Sequence, residues 1–162
     1  MVTLRVLTTD DRPLWRALRL AALTDAPDAF KVRLVDWDRG EEERWHARLE
    51  LPGAYHVAAL LDGHPVGMAS GLPGAAGIRE LRSVWVSSEA RGRGIGNRLI
   101  TAIETWALGS GGAALKLAVL PGNESAIALY RRNGFMDTGE RGDVLPDGTT
   151  REQIMVKALR RA

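Results

Sequence analysis

Apolar stretches with two different periods alternate along the first third of the chain. Residues 2–7 predict a strand, and residues 9–13 predict the start of a helix, because a capping residue is followed by an early proline. Leucine and alanine at helical spacing give this helix an apolar face as far as residues 25–28. A second helix is predicted over residues 41–51, where glutamates lead and a proline follows.

The middle of the chain predicts three successive strands. Residues 55–61 and 66–71 flank an Asp-Gly pair, which is typical of a tight hairpin. Residues 78–86 predict the next strand. The helix that follows carries apolar side chains at helical spacing, and glycines from Gly109 onward end it.

The last third predicts a buried strand, a short helix and a hairpin. Residues 113–120 are mostly apolar, as in a parallel strand that is covered on both faces. Asn123 is a favourable N-cap for a helix that Gly134 ends. Residues 151–158 are predicted to pair, across an Asp-Gly turn, with a strand that includes Val144.

The order of these elements, β, α, α, β, β, β, α, β, α, β, β, predicts a single mixed α/β (α+β) domain over residues 1–162. A length of 162 residues with 45% hydrophobic and 26% charged residues fits one globular core. The net charge of +2 is too small to indicate binding to nucleic acid or to a membrane surface. The apolar runs are too short to span a bilayer and no signal pattern opens the chain, so a cytoplasmic location is expected.

The supply of reactive side chains narrows the possible chemistry. The chain has no cysteine, which excludes a thiol nucleophile, a disulfide and a thiolate metal site. His46, His56 and His64 do not have the spacing of metal ligands, so no metal site is predicted.

A glycine-rich loop between the strand at residues 78–86 and the next helix carries the strongest functional signal. Residues 91–97 read Arg-Gly-Arg-Gly-Ile-Gly-Asn. The first N–H groups of a helix have no partner within it, and the helix dipole adds roughly half a positive charge there. Glycines let a phosphate approach these N–H groups, and Arg91 and Arg93 add positive charge. The loop therefore predicts an anion site.

Spacing distinguishes three known glycine-rich phosphate loops. The dinucleotide fingerprint G-x-G-x-x-G fails because its third glycine would be Asn97, and the P-loop fails because the chain contains no Gly-Lys pair. The third pattern, Arg/Gln-x-x-Gly-x-Gly/Ala, is met by Arg91, Gly94 and Gly96. It is the pyrophosphate loop of the GNAT superfamily of N-acetyltransferases, which this chain resembles.

A second motif with the same resemblance follows one strand later. Asn123, Ala126, Tyr130, Gly134 and Phe135 match the GNAT signature N-x-x-A-x-x-x-Tyr followed by Gly-Phe. Asn123 and Tyr130 lie about two helical turns apart and so share one helix face. The resemblance implies a GNAT-like fold, with a mixed central sheet that is splayed between strands 4 and 5 and flanked by helices.

The resemblance also implies the reaction and its site. Acetyl-CoA would be the co-substrate, and a primary amine would attack its thioester directly, without a covalent enzyme intermediate. Tyr130 is implied as the general acid that protonates the leaving thiolate. The residues implied in acetyl-CoA binding are Val84, Trp85, Val86, Arg91, Gly92, Arg93, Gly94, Ile95, Gly96, Asn97, Asn123 and Tyr130. Purely structural roles, as an N-cap for Asn123 and as a core residue for Tyr130, stay open beside these.

The general base is where the chain departs from the family pattern. Many similar enzymes that acetylate protein N-termini carry a glutamate on the fifth strand, and here that position is Ala118. Glu80 on the fourth strand is the best remaining acid. Strand alternation would place it on the same face as Val84 if no bulge intervenes. An ion pair of Glu80 with Arg82 is the alternative interpretation.

The acceptor is predicted less sharply than the donor. The first two helices and the late hairpin are expected to form its pocket, with Phe30, Trp37, Trp45 and Tyr55 as candidate walls. Loss of the glutamate at Ala118 favours a small-molecule amine. A protein N-terminus or lysine, a longer acyl donor, and a non-catalytic CoA-binding regulatory module are the alternatives. The assembly is left open between a monomer and a homodimer.

Overall fold

The computed structural model describes residues 1–159; the last three residues of the predicted domain lie outside the described residues. One mixed sheet contains seven strands in the order β1-β2-β3-β4-β5-β7-β6. All neighbouring strands pair antiparallel except β4 and β5, which are parallel. The strands are β1 Val2–Val6, β2 Tyr55–Leu61, β3 His64–Pro73, β4 Ile78–Val86, β5 Ala114–Val119, β6 Met136–Val144 and β7 Arg151–Ala158.

Four α-helices connect these strands in the predicted order, which confirms the mixed α/β class. They are α1 Arg12–Asp25, α2 Glu41–Leu49, α3 Ile95–Gly109 and α4 Glu124–Arg132. The second helix ends two residues before its predicted end. A short 3₁₀ helix over Leu34–Arg39, which the sequence analysis did not predict, precedes it and buries Trp37. Among residues 1–159, no helix has the length and apolar character needed to cross a membrane.

The two faces of the sheet are covered by different helices. On one face, α3 packs on the sheet through buried residues such as Leu99, Ile100 and Ile103. On the other face, α1 and α2 are joined by Trp15 and Trp45, whose rings stack with centroids 3.8 Å apart. Each indole N–H also donates to the backbone carbonyl of the other tryptophan. Full burial of a large apolar side chain contributes about 1.5–3 kcal/mol, so this pair fixes α1 against α2.

The sheet opens between β4 and β5, as the family resemblance implied. The two strands pair only from Ile78 with Ala114 to Glu80 with Lys116. Beyond that point β4 stays paired with β3 on one side, and β5 stays paired with β7 on the other. The divergence leaves a V-shaped gap that exposes the backbone edge of the second half of β4.

A β-bulge in β4 interrupts the regular alternation on which the expected position of Glu80 depended. Met68 pairs with Trp85, but Ser70 pairs with Arg82, so β4 contains one extra residue there. Ser83, within the bulge, has a left-handed φ of 56°. An extra residue reverses the faces of the positions on its two sides. Glu80 and Val84 therefore do not share a face.

Candidate active site

The glycine-rich loop leads directly into α3, as predicted. Gly92 and Gly94 have φ of 80° and 74°, and a side chain in this left-handed region costs roughly 1–2 kcal/mol. Gly94 is the N-cap of α3, and the first helical bond runs from the Arg98 N–H to the Gly94 carbonyl at 3.1 Å. The N–H groups between them have no acceptor within the helix. They form the donor set that an anion at this end of α3 would meet.

Gly96 brings α3 close to α4. A Cβ atom at this position would lie 3.0 Å from the Leu129 side chain, tighter than normal packing. Asn97 accepts a hydrogen bond from the Asn133 side chain at 2.9 Å, which joins the two helices one turn away. The glycines therefore have two roles. Gly92 and Gly94 form a loop that an anion can approach, and Gly96 allows close contact between α3 and α4.

A cleft of about 440 Å³ lies between this loop, the end of β4 and α4. It contains every residue implied in acetyl-CoA binding except Arg93. Those residues are Val84, Trp85, Val86, Arg91, Gly92, Gly94, Ile95, Gly96, Asn97, Asn123 and Tyr130. Arg93 is exposed beyond the walls of the cleft.

Sequence reasoning missed the other side of the cleft. Ala26 and Ala29 contribute from the segment after α1, beside Phe30, which was expected only in the acceptor pocket, and Ser125, Leu129 and Arg132 contribute from α4. The α4 residues could have been found from helical spacing around Asn123 and Tyr130. The segment after α1 carries no motif, and only the folding of α1 over β4 brings it to the cleft.

Asn123 and Tyr130, the two residues of the second motif that are implied in the reaction, lie at the start and near the end of α4. Asn123 is the N-cap, and its side-chain oxygen accepts the Ala126 N–H at 3.4 Å. Tyr130 is 8% exposed and packs edge-on against Phe135, with ring centroids 5.9 Å apart. Burial raises the pKa of the Tyr130 hydroxyl well above its ordinary value. The hydroxyl therefore keeps its proton at neutral pH, as a general acid must before the transfer, although the same burial makes it a weaker acid.

A second cavity, of about 380 Å³, also has Tyr130 in its wall. It reaches from the gap between β4 and β5 to α1, α2 and the β6–β7 hairpin, which are the elements expected to form the acceptor pocket. The two cavities share part of their walls, namely Ala29, Phe30, Val84, Asn123, Ala126 and Tyr130. A molecule in one cavity can thus meet a molecule in the other beside the Tyr130 side chain.

Several charged side chains in the walls of the second cavity form ion pairs. Arg19 on α1 and Glu41 on α2 are 2.9 Å apart and almost completely buried. Burial lowers the pKa of Arg19, while Glu41 opposes this shift. Lys31 lies 3.4 Å from Glu152 on β7. Glu152 also accepts the backbone N–H of Asp143 at 3.3 Å, which holds its carboxylate against the hairpin.

Glu80 lies in the ion pair that was the alternative interpretation of its role. Its carboxylate is 3.0 Å from the Arg82 guanidinium, and it does not line either cavity. Arg82 and Glu152 do line the second cavity. Among residues 1–159, no cluster of three or more histidine, aspartate or glutamate side chains could hold a metal ion.

Only one of the four candidate aromatic walls faces the cavities. Phe30 lines both of them. The expectation for Trp37 and Trp45 is wrong, because both are buried between α1, α2 and the sheet. It is also wrong for Tyr55, which stacks on Trp106 against α3, with centroids 5.8 Å apart. Residue type alone could not distinguish a pocket-lining residue from a core residue, because all four candidates are aromatic.

Residues 15–135 match the family model described as the acetyltransferase (GNAT) family. The chain belongs to the GNAT acetyltransferase family. The match spans both motifs, together with the strands and helices that position them. The predicted class of enzyme and the predicted acetyl donor are those of this family.

Similar proteins agree with this assignment. An IAA acetyltransferase from Azospirillum brasilense is 36% identical over 100 residues, which cover 61% of this chain and 65% of that protein. A ribosomal-protein-alanine N-acetyltransferase structure from Brucella melitensis is 27% identical, with a TM-score of 0.73 over 97% of this chain and 99% of that one. An acetyltransferase structure from Salmonella typhimurium, solved with its cofactor acetyl-CoA, is 20% identical, with a TM-score of 0.77 over 100% and 96%.

Proposed function

We propose that this chain transfers an acetyl group from acetyl-CoA to a primary amine, and that the amine belongs to a small molecule. The observation that carries the proposal is the meeting of two cavities beside Tyr130 in the gap between β4 and β5. One cavity begins at an anion-binding loop, as a pyrophosphate-bearing donor requires. The other is lined by charged side chains, as a polar acceptor requires.

The donor site is built mainly from backbone groups. The N–H groups at the start of α3 would bind the pyrophosphate, and each hydrogen bond to a charged group contributes roughly 1.5–3 kcal/mol. The pantetheine arm would run along the open edge of β4 at Val84, Trp85 and Val86, since this edge lacks a strand partner. The Asn123 side chain, which lines the same cleft at the start of α4, would contact this arm. Because the donor would bind to the backbone of one continuous loop, the glycine spacing of that loop is enough to indicate the site in the sequence.

The reaction is an acyl transfer in one direct step. The amine nitrogen forms a bond to the thioester carbon, and the carbon–sulfur bond breaks. The hydroxyl of Tyr130 gives its proton to the departing thiolate, and a base takes the proton that the amine loses. Alignment of two bound reactants can remove about 7–11 kcal/mol from a barrier, so positioning can supply most of the acceleration.

Two carboxylates are candidates for the general base that takes the proton from the amine. Glu80 is the residue that the sequence indicated, and from its pair with Arg82 it would act through a bound water. Glu152 is the competing candidate because it lines the acceptor cavity itself. A general base typically contributes about 10²–10⁴ in rate, which makes the two assignments separable by kinetics.

A small acceptor is supported by the dimensions of the second cavity and by Ala118 in place of the usual fifth-strand glutamate. A volume of about 380 Å³ suits a small molecule more than a folded partner. A protein α-amine is the second candidate, because the Brucella structure named for that activity aligns along nearly the whole chain. The assay is release of CoA from acetyl-CoA in the presence of small amines, polyamines, amino acids and peptides. Acetyl-CoA binding without turnover of any of these amines would instead favour a non-catalytic module.

A further inference from the structure

Arg48 differs from the other cations that line the acceptor cavity. Arg19 pairs with Glu41 at 2.9 Å, and Arg82 pairs with Glu80 at 3.0 Å. Within residues 1–159, Arg48 has no carboxylate at ion-pair distance, and its guanidinium donates only to the Ser83 hydroxyl at 3.1 Å. Arg44 lies 3.8 Å from Glu41 and Lys31 lies 3.4 Å from Glu152, so among the described residues Arg48 is the cation of this cavity wall that lacks a carboxylate partner.

The fold holds this guanidinium in a fixed place. It lies over the Trp45 ring, 5.4 Å from the ring centroid, and that ring is itself fixed by its stack on Trp15. Ser83, its single hydrogen-bond partner, stands in the β4 bulge with φ of 56°. The strained bulge thus presents a hydroxyl to one nitrogen and leaves the other N–H donors of the guanidinium unused.

The electrostatic surroundings make this position costly without a ligand. Burial, together with the charges of Arg19 and Arg82, lowers the pKa of Arg48 to about 10, and Glu41 and Glu80 only partly oppose this shift. Arg48 nevertheless carries its charge at neutral pH. An anion that enters the cavity would stabilise the charged form of this half-buried cation. A guanidinium binds carboxylate or phosphate oxygens through two parallel hydrogen bonds.

We propose that Arg48 binds an anionic oxygen group on the acceptor, so that the substrate is an amine that also carries a carboxylate or phosphate. This rests on the proposed acetyltransferase function and names the substrate class of the same site. The amine would lie toward Tyr130, where the two cavities meet, and the anionic group would lie toward α2. Arg48 is thus a specificity-determining residue that is separate from the acetyl-CoA site.

The test compares acceptors that differ only in the anionic group. Each α-amino acid is assayed beside its carboxamide, each ω-amino acid of three to six carbons beside the matching n-alkylamine, and aminoalkyl phosphates form a third set. Wild-type protein should show at least about tenfold higher kcat/KM for one anionic set, expressed mainly in KM. Arg48→Gln should remove this preference, so that the ratio of kcat/KM between the paired anionic and uncharged acceptors falls to about one. Arg48→Lys should restore part of it.

Arg39→Gln is the matched control, because Arg39 is exposed and lies outside both cavities. The ratio between paired acceptors is measured in a single preparation, so partial unfolding of a variant does not change it. Equal rates for anionic and neutral acceptors in wild-type protein, or an unchanged ratio in Arg48→Gln, would overturn the proposal. The carboxylate and phosphate sets decide between the two sources of the anion.

A binding measurement separates failure of this inference from failure of the proposed function. With CoA saturating the donor site, glutarate and inorganic phosphate are titrated against wild-type and Arg48→Gln protein, and the thermal midpoint is followed. At ten times its Kd a ligand should raise the midpoint by about 4 °C in wild-type protein alone. If no amine is acetylated but this shift depends on Arg48, the acetyltransferase proposal fails and the anion site stands. If neither anion produces an Arg48-dependent shift and no acceptor is turned over, the anion site is rejected.

Discussion

The carboxylate of Asp25 accepts two hydrogen bonds from Ser88, one from its backbone N–H at 3.1 Å and one from its hydroxyl at 2.6 Å. It also accepts the indole N–H of Trp85 at 3.1 Å. Burial would raise the pKa of Asp25, but the donors from Ser88 and Trp85 outweigh it and the pKa lies below its usual range. The last residue of α1 is therefore an ionised anchor for the segment between β4 and the glycine-rich loop.

Asp25→Asn is expected to weaken acetyl-CoA binding although the residue itself need not contact the donor. An amide keeps one acceptor oxygen but turns N–H donors toward Trp85 and Ser88. Hydrogen bonds to a charged group contribute roughly 1.5–3 kcal/mol each, so the loss of one would loosen the loop and raise the KM for acetyl-CoA about tenfold. Initial rates at varied acetyl-CoA and saturating acceptor measure this.

Asp28→Asn is the control for that experiment, since Asp28 is exposed a few residues away and the charge change is the same. It should leave the KM for acetyl-CoA unchanged. Equal KM values for Asp25→Asn and wild-type protein would show that the anchor does not support donor binding.

Tyr130→Phe is expected to lower kcat by about 10²–10⁴ while acetyl-CoA still binds. The phenyl ring keeps the contact with Phe135, so the fold is preserved, but no proton is available for the leaving thiolate. Stopped-flow turnover combined with calorimetric titration of acetyl-CoA separates the two effects. Tyr55→Phe is the control, because Tyr55 packs on Trp106 away from both cavities. A wild-type rate in Tyr130→Phe would assign the acid to another group.

Local pattern predicted most of the fold because most elements here obey simple periodicity. The strand at Ile78–Val86 was predicted at both ends, and Asn123 was predicted as the N-cap of α4. β6 was predicted only around Val144, because its side chains are mostly exposed and show no alternation of apolar and polar residues. The splay between β4 and β5 came from the family resemblance and has no local sequence signal.

The donor site could be predicted from the sequence, whereas the residues of the acceptor cavity mostly could not. The donor loop is a contiguous backbone structure, so its glycines encode it directly. The acceptor cavity joins side chains from α1, α2, β4 and β7, which only the tertiary fold brings together. Its geometry depends on a bulge at Ser83. Because a serine adopts the positive φ there, no glycine in the sequence indicates the bulge. The one extra residue places Glu80 on the opposite face of β4 from Val84, which regular alternation would not predict.

Replacement of Glu80 and Glu152 tests the general base. If Glu80 acts through a water, Glu80→Gln should lower kcat/KM by about 10²–10⁴ and remove the acidic limb of its pH profile. Glu152→Gln should then keep that limb. Both variants remove one negative charge, so each is the control for the other. The reverse result would transfer the role of base to Glu152, and two unaltered profiles would mean that the amine enters already deprotonated.

His56 gives the chain a stability that depends on pH. Its ring is 3% exposed, with Nδ1 at 2.7 Å from the Ser70 hydroxyl and Nε2 at 3.0 Å from the Arg48 carbonyl. Burial lowers the pKa of His56 to about 4, the hydrogen bond to the Arg48 carbonyl opposes this, and the Arg48 charge adds to it. The imidazole is therefore neutral in the folded protein at pH values where it is protonated in the unfolded chain.

The sign of the effect follows from proton counts. Between pH 6.5 and about 4, the unfolded chain binds a proton at His56 and the folded protein does not, so acid favours unfolding. The free energy of unfolding should fall by up to about 3 kcal/mol across this interval because of His56 alone. Urea denaturation at several pH values, with His56→Gln beside wild-type protein, should show a flatter dependence in the variant. His64→Gln, at an exposed site, should keep the wild-type slope. Parallel slopes for wild-type and His56→Gln protein would mean that His56 is protonated alike in the folded and unfolded states.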